Sequence, residues 1–221
     1  MNIQPFIALG FAALQSLSLW KKWSRLEYFS KPAVMVVLFI WLWTATGLKG
    51  AGLWFGLGIL FSLVGDLFLM IAPVRMFLPG LIAFLLAHIA YVIGFNTPLP
   101  PFSGWGIFLA VMIGLSGARI IRRILGPLAA KGLRRMRFPI VAYGAAISLM
   151  VLSALMKLTD VSWSAGAALL VGFGAFMFYI SDIILAWNKF VSPIRYGRIY
   201  NIAVYHLGQI ALIAGVVLHL G

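Results

Sequence analysis

There is no cysteine in the chain, and acidic residues number only four: Glu27, Asp66, Asp160 and Asp182. The first absence excludes a disulfide framework, a thiolate metal site and a cysteine nucleophile, and it is silent on redox compartment. The second leaves any carboxylate chemistry to members of that quartet. Charge of both signs is scarce: 10% of the residues are charged against 63% hydrophobic, and the mean hydropathy is +1.07. A soluble fold carries about a quarter of its residues charged, so lipid is the solvent this composition fits. No basic residue precedes the first apolar run in Met1 to Gln4, which argues against a signal peptide.

What the chain has is long apolar runs. A membrane crossing needs about 20 such residues, and cuts at charges, prolines and polar clusters leave eight segments, near 3–20, 32–48, 51–72, 76–95, 104–120, 138–156, 162–186 and 199–219. The expected architecture is an all-α integral membrane protein, a compact bundle of eight transmembrane helices forming one domain over 1–221. The runs lack the period-2 alternation that a closed β-barrel requires. Seventeen Lys and Arg give a net charge of +13, and fifteen of them fall in 21–31, at Arg75, in 119–137 and in 187–198. With eight crossings these lie on one side, opposite only Lys49 and Lys157. The positive-inside rule makes that side cytoplasmic and puts both termini outside, in a bacterial-type inner membrane. The excess charge thus reads as topology, and no nucleic-acid partner is expected. Oligomeric state leaves no trace in the pattern.

An ionisable group inside the bilayer costs about 2.5–3.5 kcal/mol on insertion scales, so each one is a functional candidate. Asp66 and Asp182 qualify. At 1.5 Å per residue both sit about 6–9 Å from the cytoplasmic ends of the third and seventh helices. Other polar groups gather near that level: Lys31 opening the second helix, Tyr143 on the sixth, and Asn201, Tyr205 and Gln209 on one face of the eighth with His206 adjacent. His88 and Tyr91 on the fourth lie deeper. These positions predict a cavity opening to the cytoplasmic leaflet with the two carboxyls close together. Interhelical hydrogen bonding is the plainer role for Tyr143, Asn201 and Gln209. A duplication is also legible. Lys31-Pro32 and Arg137-Phe138-Pro139 open helices two and six, and each aspartate precedes a histidine by 22 or 24 residues. The reading is two four-helix halves, 1–100 and 101–221, in the same orientation.

The inventory narrows the chemistry. With histidine only at 88, 206 and 219, no tight ligand spacing supports zinc. No G-x-S-x-G elbow occurs, and no lysine is placed mid-helix for a retinal. Two carboxyls in a low-dielectric pocket cannot both ionise easily, so one can act as acid while the other remains basic, a device for acid-catalysed addition of water. A small-molecule or lipid transporter would use the same polar cavity, and a non-catalytic scaffold or receptor is the third class. A transporter would more often show proline interruptions at the aspartates than this chain does.

The chain resembles the YhhN-like family of integral membrane lysoplasmalogenases. The resemblance is carried by Lys31-Pro32, Gly65-Asp66-Leu67-Phe68-Leu69, Ala87-His88-Ile89-Ala90-Tyr91, Tyr143-Gly144-Ala145, Ser181-Asp182 with Asn188-Lys189-Phe190, and Tyr205-His206-Leu207-Gly208-Gln209. It implies hydrolysis of the vinyl ether of a lysoplasmalogen to a fatty aldehyde and a glycerophospho-base, with no metal or other cofactor. Asp66 and Asp182 would be catalytic, supported by Lys31, His88, Tyr91, Tyr143, Ser181, Asn188, Asn201, Tyr205, His206 and Gln209. A lysophospholipid would enter sideways from the inner leaflet with its phosphate at the basic rim, and Lys31 is the preferred partner for that phosphate or for a carboxylate.

Overall fold

The computed structural model describes residues 3–99 and 103–221, so Met1, Asn2 and the boundary between the two halves lie outside the described residues. The described chain is all-helical. Eight long helices follow one another: α1 (Gln4–Lys21), α2 (Ser24–Thr46), α3 (Ala51–Ile71), α4 (Phe77–Phe95), α5 (Gly104–Leu125), α6 (Arg137–Met156), α7 (Ala165–Ala186) and α8 (Gly197–Leu220). A π-helical turn, Trp187–Val191, extends α7. Seven of the helices, all but α1, are long and apolar enough to cross a membrane, and the protein is a multi-pass membrane protein. In α1, Gln15 and Ser18 are buried and Gln4, Ser16 and Lys21 dilute the hydropathy.

Side-chain caps set two of the helix starts. Ser103 and Ser164 accept from the amides of Gly106 and Ala167 at the starts of α5 and α7, satisfying donors that a helix N-terminus leaves free. The start of α2 differs from the sequence expectation. Proline inside a helix normally costs about 3 kcal/mol, yet α2 begins eight residues before Pro32, at Ser24. The proline-containing turn is held from its flanks: the Ser30 hydroxyl lies within hydrogen-bond reach of the Leu26 carbonyl and of the Gln15 side-chain carbonyl on α1, and Phe29 packs edge-on against Phe11. Lys31 is therefore inside a helix and buried, and Glu27 lies in a first helical turn.

The most extensive packing joins α7 to α8, then α3 to α4. The α7–α8 contact is backbone against backbone. A methyl group on Gly174 would collide with the Leu212 amide nitrogen and stand 2.6 Å from the Gly208 carbonyl oxygen, the close approach that small residues permit between membrane helices. Gly174→Ala should therefore lower stability by about 1–3 kcal/mol, the usual scale of overpacking. Thermal unfolding in detergent, compared with Gly10→Ala on an open face of α1, measures it.

Helix α5 is the outlier. Only Gly117 and Ile124 of its 22 residues are buried, and it leans on α6 and the π-turn. Where α1 packs along α8, α5 stands away from the centre. The space it leaves is the cavity described next.

Candidate active site

Five helices and the π-turn line a narrow cleft, part of it open to the exterior. Its walls are aliphatic and aromatic: Leu69 of α3, Phe77 and Phe84 of α4, Gly117 and Ile121 of α5, Ile147 of α6 and Phe190 of the π-turn among them. Three polar side chains border it, Tyr143, Tyr179 and Asp182. Asp182 is the one carboxyl exposed to this space.

Asp182 sits in a short chain of hydrogen bonds. The Tyr143 hydroxyl donates to Asp182 Oδ2 at 2.6 Å. His88 Nε2 lies 3.0 Å from the same hydroxyl and 3.4 Å from Oδ2. A tyrosine has one proton to give, so with that proton on Asp182 the histidine bears hydrogen on Nε2 and donates. His88 Nδ1 is then a buried acceptor, and it has no partner. Three helices (α4, α6 and α7) thus fix one carboxyl at the wall of an apolar cleft.

Asp66 is placed differently. It is buried beside α2 and α8, its Oδ1 2.9 Å from Lys31 Nζ and its Oδ2 accepting from Tyr205 at 2.8 Å. It does not line the cleft. Phe84 packs against Gly65 next to it, and the Phe178 ring stands between the clusters, 4.8 Å from His88 and 5.2 Å from Tyr205, centroid to centroid. Among the described residues no hydrogen bond joins the two carboxyls. The sequence expectation of a single polar cavity is divided by this aromatic layer into an open cluster and a sealed one. Lys31 is the partner of a carboxylate, buried too deep to serve a phosphate at the rim.

The remaining sequence candidates sort by neighbour. Tyr91 donates to the Gln209 side-chain carbonyl at 2.9 Å, and the Gln209 amide donates to Ser62 at 3.1 Å. Ser181 and Asn201 bond each other across α7 and α8 at 2.8–3.1 Å, much of it through backbone carbonyls. Asn188 accepts from the Ile194 amide at 2.6 Å and so shapes the turn into α8. His206 is fully buried with neither ring nitrogen partnered. Tyr179 was not foreseen, although its position three residues before Asp182 places both on one helix face. Ser62, four residues before Asp66, carried the same signal. Among the described residues no three His, Asp or Glu side chains gather.

The sequence has known relatives. The YhhN family profile matches residues 26–216, which is most of the chain. Human lysoplasmalogenase TMEM86B is 28% identical over 221 residues, covering 95% of this chain and 84% of that protein. The mouse lysoplasmalogenase TMEM86B is 31% identical over 185 residues, covering 83% and 71%, and human lysoplasmalogenase TMEM86A is 30% identical over 154 residues, covering 69% and 60%. No solved structure matches the chain. The extent of the profile match, across α2 to α8, shows that this chain belongs to the YhhN family.

Proposed function

We propose that the protein is a lysoplasmalogenase, hydrolysing the vinyl ether of a lysoplasmalogen without a metal, and that Asp182 carries the proton transfers. The observation that supports this most is the placement of a single hydrogen-bonded carboxyl on the wall of an apolar cleft, in a family whose relatives bear that name.

A vinyl ether is cleaved by protonating its β-carbon. Protonated Asp182 gives its proton to that carbon, the C=C electron pair forms the new C–H bond, and positive charge develops on the ether oxygen and its neighbouring carbon. The carboxylate left behind stabilises that cation and accepts a proton from the water that attacks it. The hemiacetal then collapses to a fatty aldehyde and the glycerophospho-base. Tyr143 and His88 hold the Asp182 carboxyl in one orientation, and the apolar walls exclude competing water. Asp66, paired with Lys31 and accepting from Tyr205, joins α2, α3 and α8. A single-chain lipid from the inner leaflet would slide in beside the loosely packed α5.

The finer architecture belongs to the same proposal: eight crossings, termini outside, and basic loops in the cytoplasm of a bacterial-type cell. The two halves are supported by paired packing, α3 with α4 and α7 with α8. They are also supported by the 118-residue separation shared by His88 and His206 and by the hydrogen-bonded Tyr91 and Gln209. A residue that touches its own counterpart lies on the axis relating two copies. Reporter fusions at Gly221 and near Gly132 should report opposite sides; agreement between them would contradict the map.

The reaction is tested by incubating purified protein with a panel of lyso-ether and lyso-ester lipids. Aldehyde should appear from the vinyl ether alone, at a rate unchanged by chelators. Loss of activity with EDTA and recovery with zinc would overturn the mechanism.

A further inference from the structure

The chain has four carboxylates, and each is engaged. Glu27 pairs with Arg198, Asp66 with Lys31, Asp160 with Lys157 at 2.9 Å, and Asp182 with Tyr143 and His88. No acid remains for the lysines at the end of the cleft nearest the π-turn. Lys131 donates to the Phe190 carbonyl at 2.9 Å. Lys189 stands 4.2 Å over the Phe77 ring and reaches only the Pro73 carbonyl, at 3.5 Å. Phe77 and Phe190 both line the cleft, so two ammonium groups without a carboxylate partner stand against residues of its wall. Each keeps N–H donors that these single contacts leave free.

The spacing is informative. Seven residues separate Asp182 from Lys189, a rise of about 10 Å. In a glycerophospho-lysolipid, seven bonds separate the phosphorus from the vinyl ether carbon that takes the proton. That is about 8–9 Å when extended, for bonds near 1.5 Å. A phosphate against Lys189 would set the reacting carbon beside Asp182, with the tail continuing along the aliphatic wall.

We infer that the end of the cleft at the π-turn is an anion subsite in which Lys189, assisted by Lys131, holds the phosphate of a single-chain lipid and sets its reacting bond against Asp182. This rests on the reaction proposed above and adds the group that recognises the substrate's head. The shared chemistry is a phosphodiester, and its source is the lysolipid itself rather than the bulk membrane.

The test uses the full-length protein in detergent and two radiolabelled probes that cannot be cleaved: a 1-O-alkyl lysophosphatidylethanolamine and the phosphate-free 1-O-alkylglycerol. Lys189→Gln should weaken binding of the first by about tenfold, the scale of one charge-assisted hydrogen bond, and leave the second unchanged. Lys189→Arg should retain most of the affinity, and Arg135→Gln, which removes an exposed cation that makes none of these contacts, should match the parent protein. In turnover, Lys189→Gln should raise KM by about tenfold for the vinyl ether lysolipid with kcat nearly constant. Equal loss for both probes, no loss for either, or displacement of the lysolipid by diacyl phosphatidylglycerol as readily as by unlabelled lysolipid would each overturn the subsite. Should Lys189→Gln fail to fold, Lys131→Gln and the weakening of parent-protein binding by salt carry the same comparison. Lysine-dependent binding without vinyl ether cleavage would remove the proposed reaction and support the subsite. Cleavage with unaltered Lys189→Gln kinetics would do the reverse.

Discussion

Asp182→Asn should lower vinyl ether turnover by about 100-fold or more while the bundle remains folded. Asparagine keeps the size of the side chain and can still accept from Tyr143, whose hydroxyl lies 2.6 Å from the present oxygen. It has no acidic proton to give to carbon, and general acid–base groups are worth about 10²–10⁴ in rate. KM should change little, because the cleft around position 182 is formed by aliphatic and aromatic walls that the substitution does not touch. Tyr143→Phe is the informative companion. It removes the hydrogen bond that orients the carboxyl but leaves the carboxyl itself, so its loss should be smaller, about tenfold, and should fall on kcat. A folded Asp182→Asn protein with full activity, checked by aldehyde release and by an unchanged elution profile, would leave the cleft without its acid.

The second large effect concerns stability. Asp66 and Lys31 are a buried ion pair with an additional donor from Tyr205. Removing one member strands the other in a low-dielectric interior, which costs about 3–5 kcal/mol. Asp66→Asn and Lys31→Met should each therefore lower the unfolding temperature sharply. The double variant should recover much of the loss, since no buried charge is left unpaired. That recovery separates an anchoring role from a reacting one: the double variant should regain stability and part of its turnover, whereas no partner substitution should rescue Asp182→Asn. Thermal melts of the four proteins in one detergent measure the cycle. Additive losses would mean that the contact does not hold the helices.

The helices were legible because apolar runs of about 20 residues have one economical use, and the two aspartates because nothing on their own helices neutralises them. The division of labour between them was not legible. It depends on Lys31, which a reader of the sequence places at a helix start beside Pro32. The structure carries it inside α2, where Ser30 and Phe29 tie the proline-containing turn to α1. The pairing of residues 31 and 66 across two helices leaves no periodic signal. Nor does the layer formed by Phe84 and Phe178, since aromatic residues are common on every membrane helix. The open side of the cleft was equally hidden. The sequence of α5 marks it as glycine-rich and basic at one end, but its distance from the centre follows from how α4, α6 and α7 pack. Tyr179 and Ser62, by contrast, lie one helical turn before the aspartates and were available to a reader attentive to i−3 and i−4 neighbours.

The central claim is protonation of a vinyl ether carbon from the wall of this cleft, and the isotopic fate of that proton tests it. Purified protein is mixed with lysoplasmenylethanolamine and, separately, with its saturated 1-O-alkyl counterpart in D₂O, and the released aldehyde is trapped at early times by reduction to the alcohol. The account predicts aldehyde from the vinyl ether only, with one deuterium on the carbon next to the former carbonyl, formed more slowly than in H₂O. Cleavage of the saturated ether as well, or aldehyde that carries no deuterium at that carbon, would contradict it.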